Sequence, residues 1–198
     1  MVALMTVNKQ PIVLASSSQR RIDMLKDNGY ESIVIAPDIE ENMPYGIPPN
    51  EGAMFLALKK ALSVEPLCED GSIILAADTI VLLDEIIGKP VSEEDAYRIL
   101  SLLNGKTHRV ITGVALLKAK CLQRVVFCET TYVTFKKYSE KDIIDYIRTE
   151  EPYDKAGGYA IQGAFGKYVK GIKGDRDNVI GLPWKMVAHE LNKKEAWI

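Results

Sequence analysis

The sequence predicts an α/β fold built on a mixed sheet, and three observations lead there. Short apolar runs rich in Val and Ile alternate with stretches of helical periodicity, the pattern of strands and helices sharing one sheet. Two long β-branched runs, 107–118 and 124–136, follow one another across a basic turn at 118–120, which makes them antiparallel neighbours and the sheet mixed. No repeat, low-complexity tract or linker divides the 198 residues, and 47% hydrophobic content suffices for one core, so 1–198 reads as a single domain.

The elements follow in order. Ile12–Ala15 is a short buried strand, and Ser17 to Asn28 a helix with apolar Ile22, Met24 and Leu25, closed by Gly29. Tyr30–Ala36 alternates as a strand, and the polar loop PDIEENMPYGIPPN leads to a helix over 51–64 that Asn50 is placed to cap. Ile73–Leu83 is a β-branched strand that turns back at Asp84-Glu85 through Ile86–Gly88 as a hairpin. Ser92 caps a helix over 93–103, which stops at Asn104-Gly105. After the two long strands, Ser139 caps a helix over 140–149. A glycine-rich stretch occupies 157–174, and an amphipathic helix runs from about 184 to 193.

Composition narrows the function. A net charge of −2 carries no basic excess for nucleic acid, so an anionic substrate would have to be met by a few placed Lys and Arg and a metal ion. Three cysteines without a CxxC pair fit a reducing compartment, and two distant histidines argue against a zinc site. The apolar start MVALMTV is broken by Asn8, Lys9 and Gln10, and no run is long enough to span a membrane, so the expected location is cytoplasmic.

Several stretches could carry chemistry. In LASSSQRRIDML a strand passes through Ser16-Ser17-Ser18 into a helix whose first turn holds Arg20 and Arg21. Unpaired amides at the positive end of a helix are a ready anion site, and cations there want a partner that a polyphosphate would supply. The plainer reading is a capping serine with two solvated arginines. Asp78 interrupts an apolar strand in ILAADTIVLLDEIIGKP, where a charge must be paired, hydrated or metal-bound unless it faces solvent by alternation. Lys89 sits on a rigid turn between Gly88 and Pro90. Glu40 and Glu41 are loop charges that could complete, with Asp78, an oxygen-rich site for Mg²⁺ or Mn²⁺. Lys59 and Lys60 are adjacent on a helix, so only one of them can face a given site. Gln162 carries the donor and acceptors that reading a base edge requires, though taken alone such a residue is more often a strand-edge side chain. His108 lacks a Ser or Cys partner and suits a structural hydrogen bond.

Taken in order, the blocks LASSSQRRIDML, DIEEN, LALKKA, AADTIV…GKP, LNGKTHRVITGVAL, DKAGGYAIQG and NVIGLP resemble those of the Maf family of nucleoside triphosphate pyrophosphatases, from Leu14 to Pro183. The resemblance implies an elongated α/β structure with two lobes around a cleft, similar to the inosine triphosphatase group, and a homodimer. It implies cleavage between the α and β phosphates with a divalent cation (Mg²⁺, Mn²⁺ or Co²⁺). Ser16, Arg20 and Arg21 would hold the phosphates, with Lys60 and Lys89 adding charge. Glu41 and Asp78 would bring in the metal and the attacking water, Asp78 as proton acceptor. Arg20, Thr79 and Gln162 match positions linked to base choice, and the DT and YAIQG blocks resemble the branch preferring dTTP and UTP, with modified pyrimidine nucleotides also admitted. The alternative is a nucleotide-binding regulator of septum formation with little catalysis; it would keep the cations but could dispense with Asp78 and Glu41. Two departures stand out: Gln19 replaces the usual proline at the helix start, and Asp175-Arg176 replaces a serine-aromatic pair.

Overall fold

The computed structural model describes residues 11–193, so the interrupted apolar stretch before Pro11 lies outside the described residues. In chain order the elements are β1 (Ile12–Leu14), α1 (Gln19–Asp27), β2 (Ser32–Val34), α2 (Pro49–Val64), β3 (Ile73–Leu82), β4 (Ile86–Ile87), α3 (Glu93–Leu103), β5 (Thr107–Lys118), β6 (Arg124–Phe135), α4 (Glu140–Ile147), β7 (Val169–Lys173), α5 (Arg176–Ile180) and α6 (Trp184–Leu191). The strands form one sheet in the order β2-β1-β3-β5-β6-β7, with β4 folded back on the end of β3. β1 runs parallel to β2 and β3, while β3, β5, β6 and β7 are antiparallel, so the sheet is mixed as the long adjacent strands require.

Alternation along β3 organises both faces. Ile74 and Ala76 pack with Ala57, Ala61 and Val64 of α2, and Ile80 and Leu82 with Ala53, so Asp78 belongs to the face that α2 covers. Leu75 and Ala77 point the other way, into a cluster with Met24 and Leu25 of α1 and Val187 of α6; Thr79 shares that face. Helix α2 presents the stripe Ala53, Ala57, Lys60, Ala61 and Val64, so its buried lysine lies among alanines. Small side chains let the helix approach closely. A Cβ on Gly113, which pairs with Asp78 across β3 and β5, would stand 2.3 Å from the Ala53 carbonyl carbon and oxygen. Only glycine admits that helix–strand contact.

Beyond β3 the sheet carries a second core under α3 and α4. It is dominated by aromatic edge-to-face contacts, with Phe135 at 5.8 Å from Phe165 and 4.8 Å from Tyr159. The two helices are held at their starts by capping: Ser92 accepts from the Asp95 amide, and Ser139 and Asp142 form a reciprocal box.

Three details differ from the sequence expectation. α2 starts at Pro49 with no side-chain cap, so Asn50 lies inside the helix; an N-terminal proline has no N–H to leave unsatisfied. The glycine-rich stretch holds two 3-10 turns, Ala156–Gly158 and Ala164–Tyr168, and then the edge strand β7, which its glycines concealed. Asp175, one of the two departures, caps the unexpected short α5 by accepting from the Asp177 amide.

Candidate active site

A cleft of about 680 Å³ opens where β1 hands over to α1, bounded by the middle of β3, the β4 turn and the segment around 154–159. It lies beyond the carboxyl end of β1, where open α/β sheets place their ligands. Its wall includes Ser16, Arg20, Arg21, Glu41, Lys60, Asp78, Thr79 and Lys89.

The floor is a charged triad. Lys60 is 6% exposed and Asp78 7%, and their Nζ and Oδ1 atoms lie 2.6 Å apart. The same ammonium lies 2.9 Å from Glu41 Oε1, which arrives from the loop between β2 and α2. Partial burial pushes the Glu41 carboxyl up, but the Lys60 hydrogen bond and the charges of Lys60, Lys89 and Arg21 outweigh it and hold it below the usual carboxylate range. Of the two adjacent lysines only Lys60 turns inward; Lys59 donates to the Glu40 carbonyl at 2.7 Å and ties down the loop that carries Glu41. Among the described residues no donor meets the second oxygen of Asp78.

Above the floor stands the start of α1. Ser16 Oγ accepts from the Ser18 amide at 3.2 Å, turning the chain into the helix, and no described group accepts from the amides of Gln19 and Arg20. Gln19 hydrogen-bonds Asp23 one turn on, at 2.8 Å, so the residue that stands where proline is usual still stabilises the first turns. Arg21 reaches back under the helix. Its Nε donates to the Gly181 carbonyl at 2.9 Å, Nη1 to Ser16 Oγ at 3.1 Å and Nη2 to Thr79 Oγ1 at 3.1 Å. Burial draws this guanidinium down to about 10, against the pull of Asp78 and Glu41, and it stays charged at neutral pH. Arg20 faces the cleft; burial lowers its pKa while Asp154 on the opposite wall supports its charge.

Two further placements bear on the sequence reading. Gln162 is exposed, lies in the turn before the 3-10 segment Ala164–Tyr168, and is not part of the cleft wall. His108 is 1% exposed, with Nε2 at 2.7 Å from the Tyr159 hydroxyl, and burial drives its pKa down to about 4. Sequence reasoning missed Asp154 as a wall residue. It opens the glycine-rich block, but an exposed acid beside a lysine carries no distinguishing signal. It also missed Thr112 and Asn178, which are buried behind Thr79 and look from the sequence like ordinary strand and loop residues.

The carboxylates of the cleft are of the type that could hold a hard divalent cation. Among the described residues no group of three or more His, Cys, Asp or Glu is gathered, so the protein offers the carboxylates of Glu41 and Asp78 around one cationic position. One or two carboxylates completed by phosphate oxygens is the donor set of Mg²⁺ or Mn²⁺.

With this geometry established, known proteins supply a comparison. Residues 11–194 match the family model described as Maf-like protein. The dTTP/UTP pyrophosphatase of Exiguobacterium sibiricum is 40% identical over 189 residues, covering 95% of this chain and 94% of its own. That of Ruminiclostridium cellulolyticum is 44% identical over 184 residues, covering 92% and 95%. Among solved structures, the Staphylococcus aureus Ham1 protein aligns with TM-score 0.43 and 16% identity over 64% of this chain and 72% of that one.

Proposed function

The chain belongs to the Maf-like protein family, and from that premise we propose that it hydrolyses dTTP and UTP to the monophosphate and pyrophosphate with a divalent cation. In the same reading it is one pyrophosphatase domain throughout, acts as a homodimer in the cytoplasm, and tolerates modified pyrimidine nucleotides. The observation that carries the catalytic part is the Asp78–Lys60–Glu41 triad at the floor of the cleft, with Asp78 and Lys60 buried and the exposed Glu41 reaching in from its loop, beneath the open start of α1.

Each residue has a task that its position supports. The free amides of Gln19 and Arg20, the Ser16 region and the Arg20 guanidinium hold the outer phosphates, and Lys89 approaches from the β4 turn. Arg21 uses three N–H groups on the protein, so it contributes a fixed positive charge and a rigid frame for Ser16 and Thr79. Glu41 and Asp78 would hold the cation, which supplies Lewis-acid stabilisation of the α phosphate when bound. Asp78 has one oxygen fixed by Lys60 and the other free to accept the proton of the attacking water. Lys60 keeps the two carboxylates together and neutralises charge at the leaving pyrophosphate. Base choice falls to Arg20 and Thr79 in the cleft wall together with Gln162, which is exposed and lies outside that wall. A purely regulatory nucleotide binder would not require two carboxylates converging on one buried lysine, which favours the enzyme.

The test is a nucleotide panel on the parent and on Asp78→Asn. The parent should prefer dTTP and UTP, stop on EDTA treatment and recover with Mg²⁺ or Mn²⁺. Asp78→Asn should lose ~10²–10⁴-fold in kcat with nucleotide binding retained. Full activity after chelation, or turnover by Asp78→Asn within a few-fold of the parent, refutes the assignment.

A further inference from the structure

Behind the cleft wall lies a chain of hydrogen bonds whose direction is fully determined. Thr112 is 0% exposed, and its hydroxyl lies 3.0 Å from the backbone carbonyl of Asn178. A carbonyl only accepts, so the single hydroxyl proton of Thr112 is committed to it. Thr79 Oγ1 lies 3.0 Å from Thr112 Oγ1, in a register pair of β3 and β5, and Thr112 has no second proton to give. Thr79 is therefore the donor in that contact. Thr79 Oγ1 also accepts from Arg21 Nη2 at 3.1 Å, which leaves it one lone pair and no proton. The acceptor at the far end is itself fixed: Asn178 is fully buried, and its Nδ2 donates to the Val110 carbonyl and to Thr131 Oγ1, both at 3.0 Å.

Resting on the reading of the cleft as a pyrimidine nucleotide site, we propose that Thr112 is a specificity-determining positioning residue that makes Thr79 an acceptor-only group. Thymine and uracil carry an N3–H donor between two carbonyls. Cytosine presents a bare N3 acceptor at the same place. A wall hydroxyl with its proton directed backwards can satisfy the first and meets the second acceptor to acceptor. Thr112 never touches the nucleotide and acts only through Thr79. Arg21 completes the arrangement by occupying the other lone pair, so the hydroxyl cannot swing round without breaking a charge-assisted bond.

The test compares UTP and CTP on the parent, Thr112→Val and Thr112→Ser, with thermal melting of each. Valine keeps the shape and removes the hydroxyl, which frees the Thr79 proton to point into the cleft. The parent should favour UTP over CTP by at least about tenfold in kcat/KM. Thr112→Val should bring that ratio to within about threefold, mainly through a gain on CTP, while inhibition by inorganic pyrophosphate stays unchanged. Thr112→Ser should restore the parent ratio. A purely structural Thr112 would lower the melting temperature and leave the ratio alone, and that outcome overturns the proposal. A second measurement needs no variant: the parent should turn over 4-thio-UTP, which keeps N3–H, and reject 3-methyl-UTP, which lacks it. Equal use of 3-methyl-UTP and UTP also overturns the proposal. A parent that does not discriminate UTP from CTP at all instead refutes the nucleotide assignment on which this rests.

Discussion

Replacing Lys60 by methionine removes the one cation that both Glu41 and Asp78 touch, at 2.9 and 2.6 Å. Methionine matches the length of the aliphatic stem and keeps helix propensity, so the charge is what is lost. Asp78, 7% exposed, is then a buried carboxylate without its partner. Breaking a buried pair from one side typically costs ~3–5 kcal/mol, several times the value of a surface pair. For a chain of this size that corresponds to a fall in melting temperature of roughly 6–20 °C. The double variant Lys60→Met/Asp78→Asn removes the stranded charge as well and should regain about 2 kcal/mol over the single variant. Urea unfolding of the parent, both single variants and the double variant closes the cycle. A Lys60→Met loss below about 1 kcal/mol, or no recovery in the double variant, would mean that water screens the triad and that the floor of the cleft is not desolvated.

Three other outcomes follow from the same structure. His108 is neutral in the folded protein, with a pKa near 4 against an ordinary 6.5, so its contribution is complete above pH 6.5 and is lost as the pH falls towards 4, by roughly 3 kcal/mol in all; His108→Gln should flatten the acid side of the urea-midpoint profile, and an unchanged profile would contradict the burial argument. Gly113→Ala places a methyl 2.3 Å from backbone atoms of Ala53, so it should destabilise by about 3 kcal/mol or more and lower activity by shifting Lys60 with α2; a variant as stable as the parent would contradict the close helix approach. Gln162→Ala should narrow the preference for dTTP and UTP over CTP and the purine nucleotides while hydrolysis continues, read as kcat/KM across the panel, and an unaltered ranking would remove Gln162 from base reading.

The sequence made visible what periodicity and capping govern. Long β-branched apolar runs define β3, β5 and β6, and Ser92 and Ser139 mark the starts of α3 and α4 through their side-chain oxygens. What it concealed depends on long-range contact. Nothing local says which way Asp78 points, because its strand is apolar on both faces and only the position of α2 makes one of them the lysine face. Similarly, β7 is written in residues that look like a loop, and it becomes a strand by pairing with the far edge of β6. Thr112 and Asn178 are silent for the same reason. Their side chains matter through partners 33 to 68 residues away. The order of motifs, rather than any one of them, pointed to the site, since SSS, DT and a lone lysine are each common.

The central claim is that this cleft directs water to the bond between the α and β phosphates, and the products report on it directly. Phosphorus NMR of dTTP with the parent enzyme and Mg²⁺ should show dTMP and pyrophosphate rising together from the first time point, and neither appearing with Asp78→Asn over the same interval. Primary formation of dTDP and orthophosphate would place the attack at the γ phosphate and contradict the account.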